Sequence, residues 1–507
     1  MLHCPLAISL AVRLRVASNR LETSEERKLE SGGTREFASA SNRMALRPMK
    51  ACVMRLVFEQ GTLLLSTGQS KLSAALPGLR WDPRTGSHRA PAHRYRELRA
   101  TLRCCGAAFQ DQVQRLVGES GAWRPIDLRP YQLAALSAWQ PEQRGMIVLP
   151  TGSGKTRVAC AAMAACAAPV LCLVPTRALM HQWAAEVQRH YQSKVGLLGD
   201  GQRQIAPVTI STFESAYRQM ARIGNGFELL VVDEVHHFGN GVRDEALAMC
   251  TAPSRLALTA TAPDGAARAR VETLMGPCVC ELRVADLAGT WLADFDNIVV
   301  RVSLNQLERA SYAHCVKVFR TEFDRFRDLH PVGTWRDFTM FAQRAEAGRE
   351  ALAAFRRSRQ LTHYPISKRT VLGALLREHR SQRCLVFTAD NATAYAIARE
   401  HLIMPITCDI QRRERDAALS AFRSGELRAL VSAQVLNEGL DVPDAEVAII
   451  VGGVRGQREH VQRVGRLLRP SPGKRAVVYE LIADGTHETR KSVERRRALQ
   501  QAGQIRG

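Results

Sequence analysis

One stretch limits what this chain can fold into: Leu149-Pro150-Thr151-Gly152-Ser153-Gly154-Lys155-Thr156. Before it, Met146-Ile147-Val148 reads as a buried strand, and after it residues 157–164, rich in alanine, read as a helix. A strand and a helix joined by such a loop make a phosphate cradle. Gly152 and Gly154 let the backbone curl so that successive N–H groups, including those of Thr151 and Ser153, face one anion, and the helix start adds its positive dipole end. In such a loop Lys155 reaches terminal phosphates and the Thr156 hydroxyl ligates Mg²⁺. The strict pattern asks for glycine where Leu149 stands, so the spacing is a relaxed form. An ordinary glycine-rich turn would not need Lys-Thr in register between strand and helix.

Around this loop, residues 123–290 alternate short apolar runs with helical patterns. Strands are expected at 146–149, 170–174, 208–211, 229–232 and 256–259. Alternating β and α with buried strands implies a doubly wound parallel sheet, whose sites gather at the carboxyl ends of the strands. Residues 291–365 read as a helical insertion or linker, with helices expected over 307–326 and 338–355. The α/β alternation returns over 366–485, with strands expected at 384–387, 429–432, 447–451 and 476–479, but with no second glycine-lysine loop. Ahead of the first lobe, residues 54–118 read as a small α/β module. It has a strand, turn and strand over 55–65, then a helix with Tyr95, Leu98 and Leu102 on one face and Arg94, Arg96, Arg99 and Arg103 among them. Residues 1–53, rich in Ser, Arg and Glu, are expected to be a disordered or non-native leader, with Met54 a natural start. Residues 486–507 read as a basic helical tail.

Chemistry-bearing residues fall where this topology puts strand ends. After the apolar run 229–232 come Asp233 and Glu234, which suit Mg²⁺ binding and activation of an attacking water respectively, then His236 and His237. His236 is placed to couple this strand to the Thr259-Ala260-Thr261 turn. Upstream, Arg129-Pro130-Tyr131-Gln132 puts an amide 23 residues before Lys155, able to read the Watson–Crick edge of adenine. In the second lobe Gln462, Arg466 and Arg469 lie on one helical pattern. Two arginines three apart share a face, and guanidinium groups suit a γ-phosphate whose charge redistributes. Gln462 would sense that phosphate, and a site split between lobes would make hydrolysis depend on their closure.

A formal charge of +22 over 507 residues points to a polyanionic partner, nucleic acid first. The leader, with nine Lys/Arg and five Glu, accounts for only +4 of it. Thirteen scattered cysteines lack paired C-x-x-C spacing, which argues for a reducing cytoplasm and no structural metal. No apolar stretch reaches the ~20 residues that span a bilayer, so no membrane partner is expected.

Taken together, these motifs resemble those of superfamily 2 helicases, which implies two RecA-like lobes, ATP with Mg²⁺, and a nucleic-acid track across both. The resemblance runs from Arg129 to Arg469. It extends to Val174-Pro175-Thr176-Arg177, Ile210-Ser211-Thr212-Phe213, Leu385-Val386-Phe387-Thr388 and Val435-Leu436-Asn437-Glu438-Gly439-Leu440-Asp441-Val442-Pro443. It implies DNA contacts from Thr176, Arg177, Thr212 and Thr388, and places Gly439 and Asp441 on the ATP side. Asp-Glu-Val-His, Thr-Ala-Thr, a glutamine-led last motif and the N-terminal module are similar to the XPB-like DNA helicases. DEAD-box RNA helicases carry Asp-Glu-Ala-Asp and a histidine-led last motif instead. XPB proteins place Arg-Glu-Asp after Thr-Ala-Thr, where this chain has Ala262-Pro263-Asp264-Gly265-Ala266. The resemblance implies 3′-to-5′ movement on single-stranded DNA and duplex junctions, a repair role beside a nuclease partner, and a bacterial-type, nucleoid-associated cytoplasmic protein. A duplex translocase that does not part strands is the first rival. A non-catalytic DNA-binding scaffold is the second, and it would not need Lys155, Thr156, Asp233, Glu234, Arg466 and Arg469 together.

Overall fold

The computed structural model describes residues 54–66, 76, 78–241, 243–287, 295–433, 445–452 and 476–493. The leader, Gly439, Asp441, Gln462, Arg466, Arg469 and most of the basic tail lie outside the described residues.

The N-terminal residues form a five-stranded sheet in the order Arg80–Asp82, Ser87–Pro91, Thr62–Ser66, Met54–Glu59, Phe109–Gln112. The first hairpin turns through Gln60 and Gly61, both at positive φ (47° and 79°), the geometry that suits the right-handed twist of paired strands. Helix Tyr95–Cys104 buries Tyr95, Leu98 and Leu102 against Leu56, Leu63 and Leu65, which is why those three recur at helical spacing. This module sits on the neighbouring lobe. A Cβ at Gly61 would lie 2.5 Å from Met249 Cγ, Asn225 Nδ2 donates to Val113 O at 2.8 Å, and Arg96 donates to Glu142 O at 2.6 Å. His93 is buried near this seam. Burial first, then the charges of Arg255, Arg94 and Arg144, push its pKa down to about 3, so the imidazole is neutral.

The next sheet has eight strands in the order Cys278–Glu281, Arg144–Val148, Ser254–Thr259, Leu229–Val232, Val170–Val174, Val208–Thr212, Gly196–Gly199, Gln202–Gln204. All neighbours are parallel except the last hairpin. Alternate residues pack on opposite faces: Ile147, Val170, Cys172 and Val231 on one, Met146, Leu171, Leu173 and Val232 on the other. With both faces covered by helices, the strands read as unbroken apolar runs. Arg255, fully buried on this sheet, donates to the carbonyls of Leu247, Cys250, Ala252 and Leu274.

A third sheet is parallel throughout: Phe295–Val302, Ala476–Ala483, Val447–Ile450, Cys384–Phe387, Ala429–Ser432, Met404–Ile406. Here the structure differs from the helical reading of 291–365. Phe295–Val302 is a full edge strand, paired over all eight residues with Ala476–Ala483. Asp296, Asn297 and Arg301 broke up its apolar signal, as polar residues do on the open side of an edge. Three helices follow, Gln306–Leu329, Trp335–Ala342 and Glu346–His363, so the single helix expected over 338–355 is two. The break falls where Gly348 approaches the previous helix end, a Cβ there meeting Ala342 O at 2.3 Å. Phe319, Phe323, Phe326 and Phe338 pack this hairpin, Phe338 meeting the other three edge-on. No helix among the described residues is long and apolar enough to cross a membrane.

Lys368 is fully buried beneath the third sheet, donating to Thr362 O (2.8 Å), Val451 O (2.6 Å) and Glu488 Oε2 (2.8 Å). Replacing Lys368 with Met strands a buried carboxylate and should cost about 3–5 kcal/mol, read as a lower urea midpoint. Replacing Glu488 with Leu as well should recover part of that loss.

Candidate nucleotide site

The loop after strand Arg144–Val148 has the geometry of an anion cradle. Gly152 and Gly154 sit at φ 84° and 81°, values that favour glycine, and Gly154 caps helix Lys155–Cys166. The loop is held from below. The Ser153 carbonyl accepts from Tyr131 Oη (2.7 Å) and Gln132 Nε2 (2.8 Å), and Ser153 Oγ donates to Pro150 O (2.6 Å). Gln132 Oε1 in turn accepts from Arg129 N (2.9 Å), closing the start of helix Pro130–Trp139. Each end of the Gln132 amide thus makes one bond to backbone, which leaves one N–H and one lone pair for a ligand. A Cβ at Gly154 would come 2.5 Å from Gln132 Nε2, a second reason for glycine there. Tyr131 itself belongs to the apolar cluster of the third sheet, with Leu385 and Phe387.

Lys155 Nζ makes a 3.3 Å contact with Leu149 O, and Thr156 is half-buried beside it. Thr151 Oγ1 is buried with no hydrogen-bond partner. A glycine-bent loop running into a helix start, a weakly held ammonium and an unused hydroxyl fit a polyphosphate.

At the end of strand Leu229–Val232, Asp233 accepts from Trp183 Nε1 through Oδ2 (2.9 Å) and from Glu234 N through Oδ1 (3.0 Å). Glu234 takes the left-handed conformation (φ 50°, ψ 49°), which strains a non-glycine residue. His236 Nδ1 lies 3.1 Å from Thr259 Oγ1 and 3.3 Å from Glu234 Oε2. One ring nitrogen serves a single partner well. With Thr259 taking it, Glu234 Oε2 is buried without a hydrogen bond, open to a water or a ligand. Thr259 Oγ1 also closes the Thr-Ala-Thr turn, donating to Thr261 O at 2.9 Å. Burial, then the adjacent Glu234, pushes the Asp233 carboxyl up. Burial also pushes Glu234 up, but Lys155 and His236 outweigh it and hold that carboxyl below its usual range. Buried Asp233 and half-buried Glu234 stand near Lys155, and oxygen ligands from Asp233 and Thr156 suit a divalent cation there.

The residues expected to grip DNA stand differently. Thr176 and Thr212 lie at the carboxyl ends of neighbouring strands, and each caps a helix: Thr176 Oγ1 accepts from Leu179 N (3.2 Å), Thr212 Oγ1 from Ser215 N (3.3 Å). Arg177 is exposed, 3.4 Å from Asp200, which also meets His181 at 3.0 Å. Thr388 is fully buried and donates to Asp390 O (3.1 Å), so its side chain faces the interior. Sequence reasoning gave no role to Trp183, Tyr131 or Asp200. Tyr131 had its place beside Gln132 as a signal, and Trp183 had its position two turns into the helix that Thr176 caps.

Comparison with known proteins agrees with this layout. Residues 56–113 match the Xeroderma pigmentosum group B helicase damage recognition domain, 125–264 the type III restriction enzyme res subunit, and 367–471 the helicase conserved C-terminal domain. The chain is 33% identical over 425 residues to a protein of Sulfurisphaera tokodaii named DNA 3′-5′ translocase XPB2, covering 83% of this chain and 97% of that one. It is 29% identical over 392 residues to the DNA 3′-5′ helicase XPB of Mycobacterium tuberculosis, covering 74% of this chain and 64% of that one. Among solved structures, S. cerevisiae Dbp5 bound to RNA and ADP BeF3 shares the fold at a TM-score of 0.51 and 19% identity, over 74% of this chain and 88% of that one.

Because Gln132 braces the loop, Gln132→Ala should weaken equilibrium binding of fluorescent ATP and GTP analogues alike, by about tenfold, the scale of one lost buried hydrogen bond. A loss confined to the adenine nucleotide would return Gln132 to base recognition.

Proposed function

The chain belongs to the XPB-like branch of the superfamily 2 DNA helicases, and on that premise we propose that it spends ATP to move 3′-to-5′ along DNA and to part the strands. The observation that carries the proposal is the convergence of Lys155, Asp233, Glu234 and the His236–Thr259 contact at the carboxyl ends of adjacent parallel strands. The reading divides the chain into a damage-recognition-like module, an ATP-binding lobe, a helical insertion and a second lobe. DNA repair beside a nuclease partner, in the cytoplasm, completes it.

In this mechanism the loop N–H groups and Lys155 bind the β- and γ-phosphates of ATP. Asp233 and Thr156 would hold Mg²⁺, which when bound offsets the charge on the phosphate oxygens. Glu234, ionised and with its Oε2 free of hydrogen bonds, orients the attacking water and takes its proton. Arg466 and Arg469 act as arginine fingers and Gln462 as the γ-phosphate sensor, with Gly439 and Asp441 linking the nucleotide to the DNA track. Gly439, Asp441, Gln462, Arg466 and Arg469 are carried by the family resemblance.

DNA contacts at the two helix starts, Arg177–His190 and Phe213–Ile223, go through backbone N–H groups, Arg177 and the Thr176 hydroxyl, whose proton its cap bond leaves to donate, whereas Thr212 Oγ1 also donates to Ser215 Oγ at 2.9 Å. Such contacts read phosphate, not base, so sequence preference is weak and affinity falls steeply with salt.

A second reading, translocation on duplex DNA without strand separation, is favoured by Ala262-Pro263-Asp264-Gly265-Ala266, where the family's Arg-Glu-Asp would stand and where helix Gly265–Met275 begins instead. Duplexes with only a 3′ or only a 5′ tail, followed for strand separation and phosphate release together, decide between the two. Unwinding of the 3′-tailed duplex alone is expected. DNA-stimulated hydrolysis with no separation would select the translocase, and no hydrolysis with any DNA would overturn both. In the same assay Glu234→Gln should lower hydrolysis by about 10²–10⁴ while nucleotide binding persists.

A further inference from the structure

We infer that Trp183 is a positioning residue that ties the DNA-facing helix of the first lobe to the carboxylate of Asp233; the inference rests on the function proposed above. Helix Arg177–His190 begins with Thr176 as its cap and Arg177 as its first residue, and carries His181 one turn in. Trp183 follows on the buried face, 1% exposed, and its indole N–H meets Asp233 Oδ2 at 2.9 Å. Asp233 is itself buried. Its other oxygen takes the backbone N–H of Glu234, so the carboxylate plane is set by two donors from two different elements. One donor belongs to its own strand. The other belongs to a helix whose start is open to a phosphate backbone.

Packing does not explain the choice of residue. Leu179, Met180 and Val187 fill the same buried face with apolar side chains, and a phenylalanine at 183 would serve the core as well. Only tryptophan among the large apolar residues brings a single directed N–H to the site. A phosphate landing on the helix start need move the helix only slightly to turn the Asp233 carboxylate, because a hydrogen bond weakens steeply with angle. Trp183 thus makes the geometry of the metal ligand depend on whether DNA is bound. Partners of this kind, one step behind a ligand, typically change metal affinity by about 10–100-fold when lost.

The test is Trp183→Phe in the full chain, read by fluorescence anisotropy of a labelled, non-hydrolysable ATP analogue titrated with Mg²⁺, with and without 3′-tailed DNA. In the wild type DNA should lower the Mg²⁺ midpoint. In the variant the midpoint should rise about tenfold and DNA should no longer move it. A variant that melts earlier yet keeps the wild-type midpoint and its response to DNA would overturn the inference and leave Trp183 structural. If the phenylalanine variant does not fold, benzothienylalanine incorporated at 183, isosteric but without the N–H, gives the same two readouts. Wild-type protein whose analogue binding shows no Mg²⁺ dependence overturns the function proposed above and this inference with it. A variant that tracks the wild type overturns this inference alone.

Discussion

A parallel sheet covered on both faces admits a polar side chain along its strands only where a hydrogen-bond partner meets it, as carbonyls meet Arg255 and Ser211. In the first lobe this exclusion leaves the strand ends as the place for chemistry. Strands Arg144–Val148, Ser254–Thr259, Leu229–Val232 and Val170–Val174 lie side by side in register, and polar residues follow each within three positions: Thr151, Thr261, Asp233 and Glu234, then Thr176. Residues more than a hundred positions apart in sequence meet because the apolar runs that precede them must pair. The site is a by-product of burying those runs, and its precision comes from a few short contacts laid over them, such as Tyr131 and Gln132 on the Ser153 carbonyl and Trp183 on Asp233.

The same rule explains what the sequence revealed. Central strands are continuous apolar runs, so Val170–Val174 and Leu229–Val232 could be read with their observed ends. Edge strands obey a weaker rule. Phe295–Val302 mixes Asp296, Asn297 and Arg301 with Ile298, Val299 and Val300, because one of its sides has no partner strand among the described residues, and it passed as part of a helical stretch. Lys155 and the paired acids Asp233 and Glu234 were legible as candidates because the chemistry they suit fixes residue type and spacing. Their supports were not. A tryptophan on the buried face of a helix looks the same whether its N–H is idle or aimed at a carboxylate. Gln132 was legible as an important amide, but its bond to the Ser153 carbonyl was not, since a glutamine that braces a loop and one that reads a base are written alike.

The N-terminal module extends the first lobe rather than standing apart from it. Its hairpin turn lies against Met249, its neutral His93 sits beside the helix end that Arg255 also gathers, and its last strand runs on into backbone contacts with Asn225 and Gly226. Arg255 gives four hydrogen bonds to carbonyls around that corner, so the segment between the two acids and the Thr-Ala-Thr turn is fixed from behind. Conformational change in the first lobe therefore has few places to occur, and the helix starts facing Asp200 and Arg177 are among them.

The long reach of strand Phe295–Val302 has a consequence for how the chain is made. Its partner, Ala476–Ala483, emerges from the ribosome last but for the tail, and Val447–Ile450 pairs on the other side of that same late strand. Until it arrives, the third sheet is split into two pieces, each with an open apolar edge, whereas the first lobe can close as soon as Cys278–Glu281 is out. Contacts of such long sequence separation form slowly, and unpaired edges invite other chains. Nascent protein thus passes through a stage with one finished lobe and one unfinished, and chains broken off before residue 476 keep the unfinished one for good.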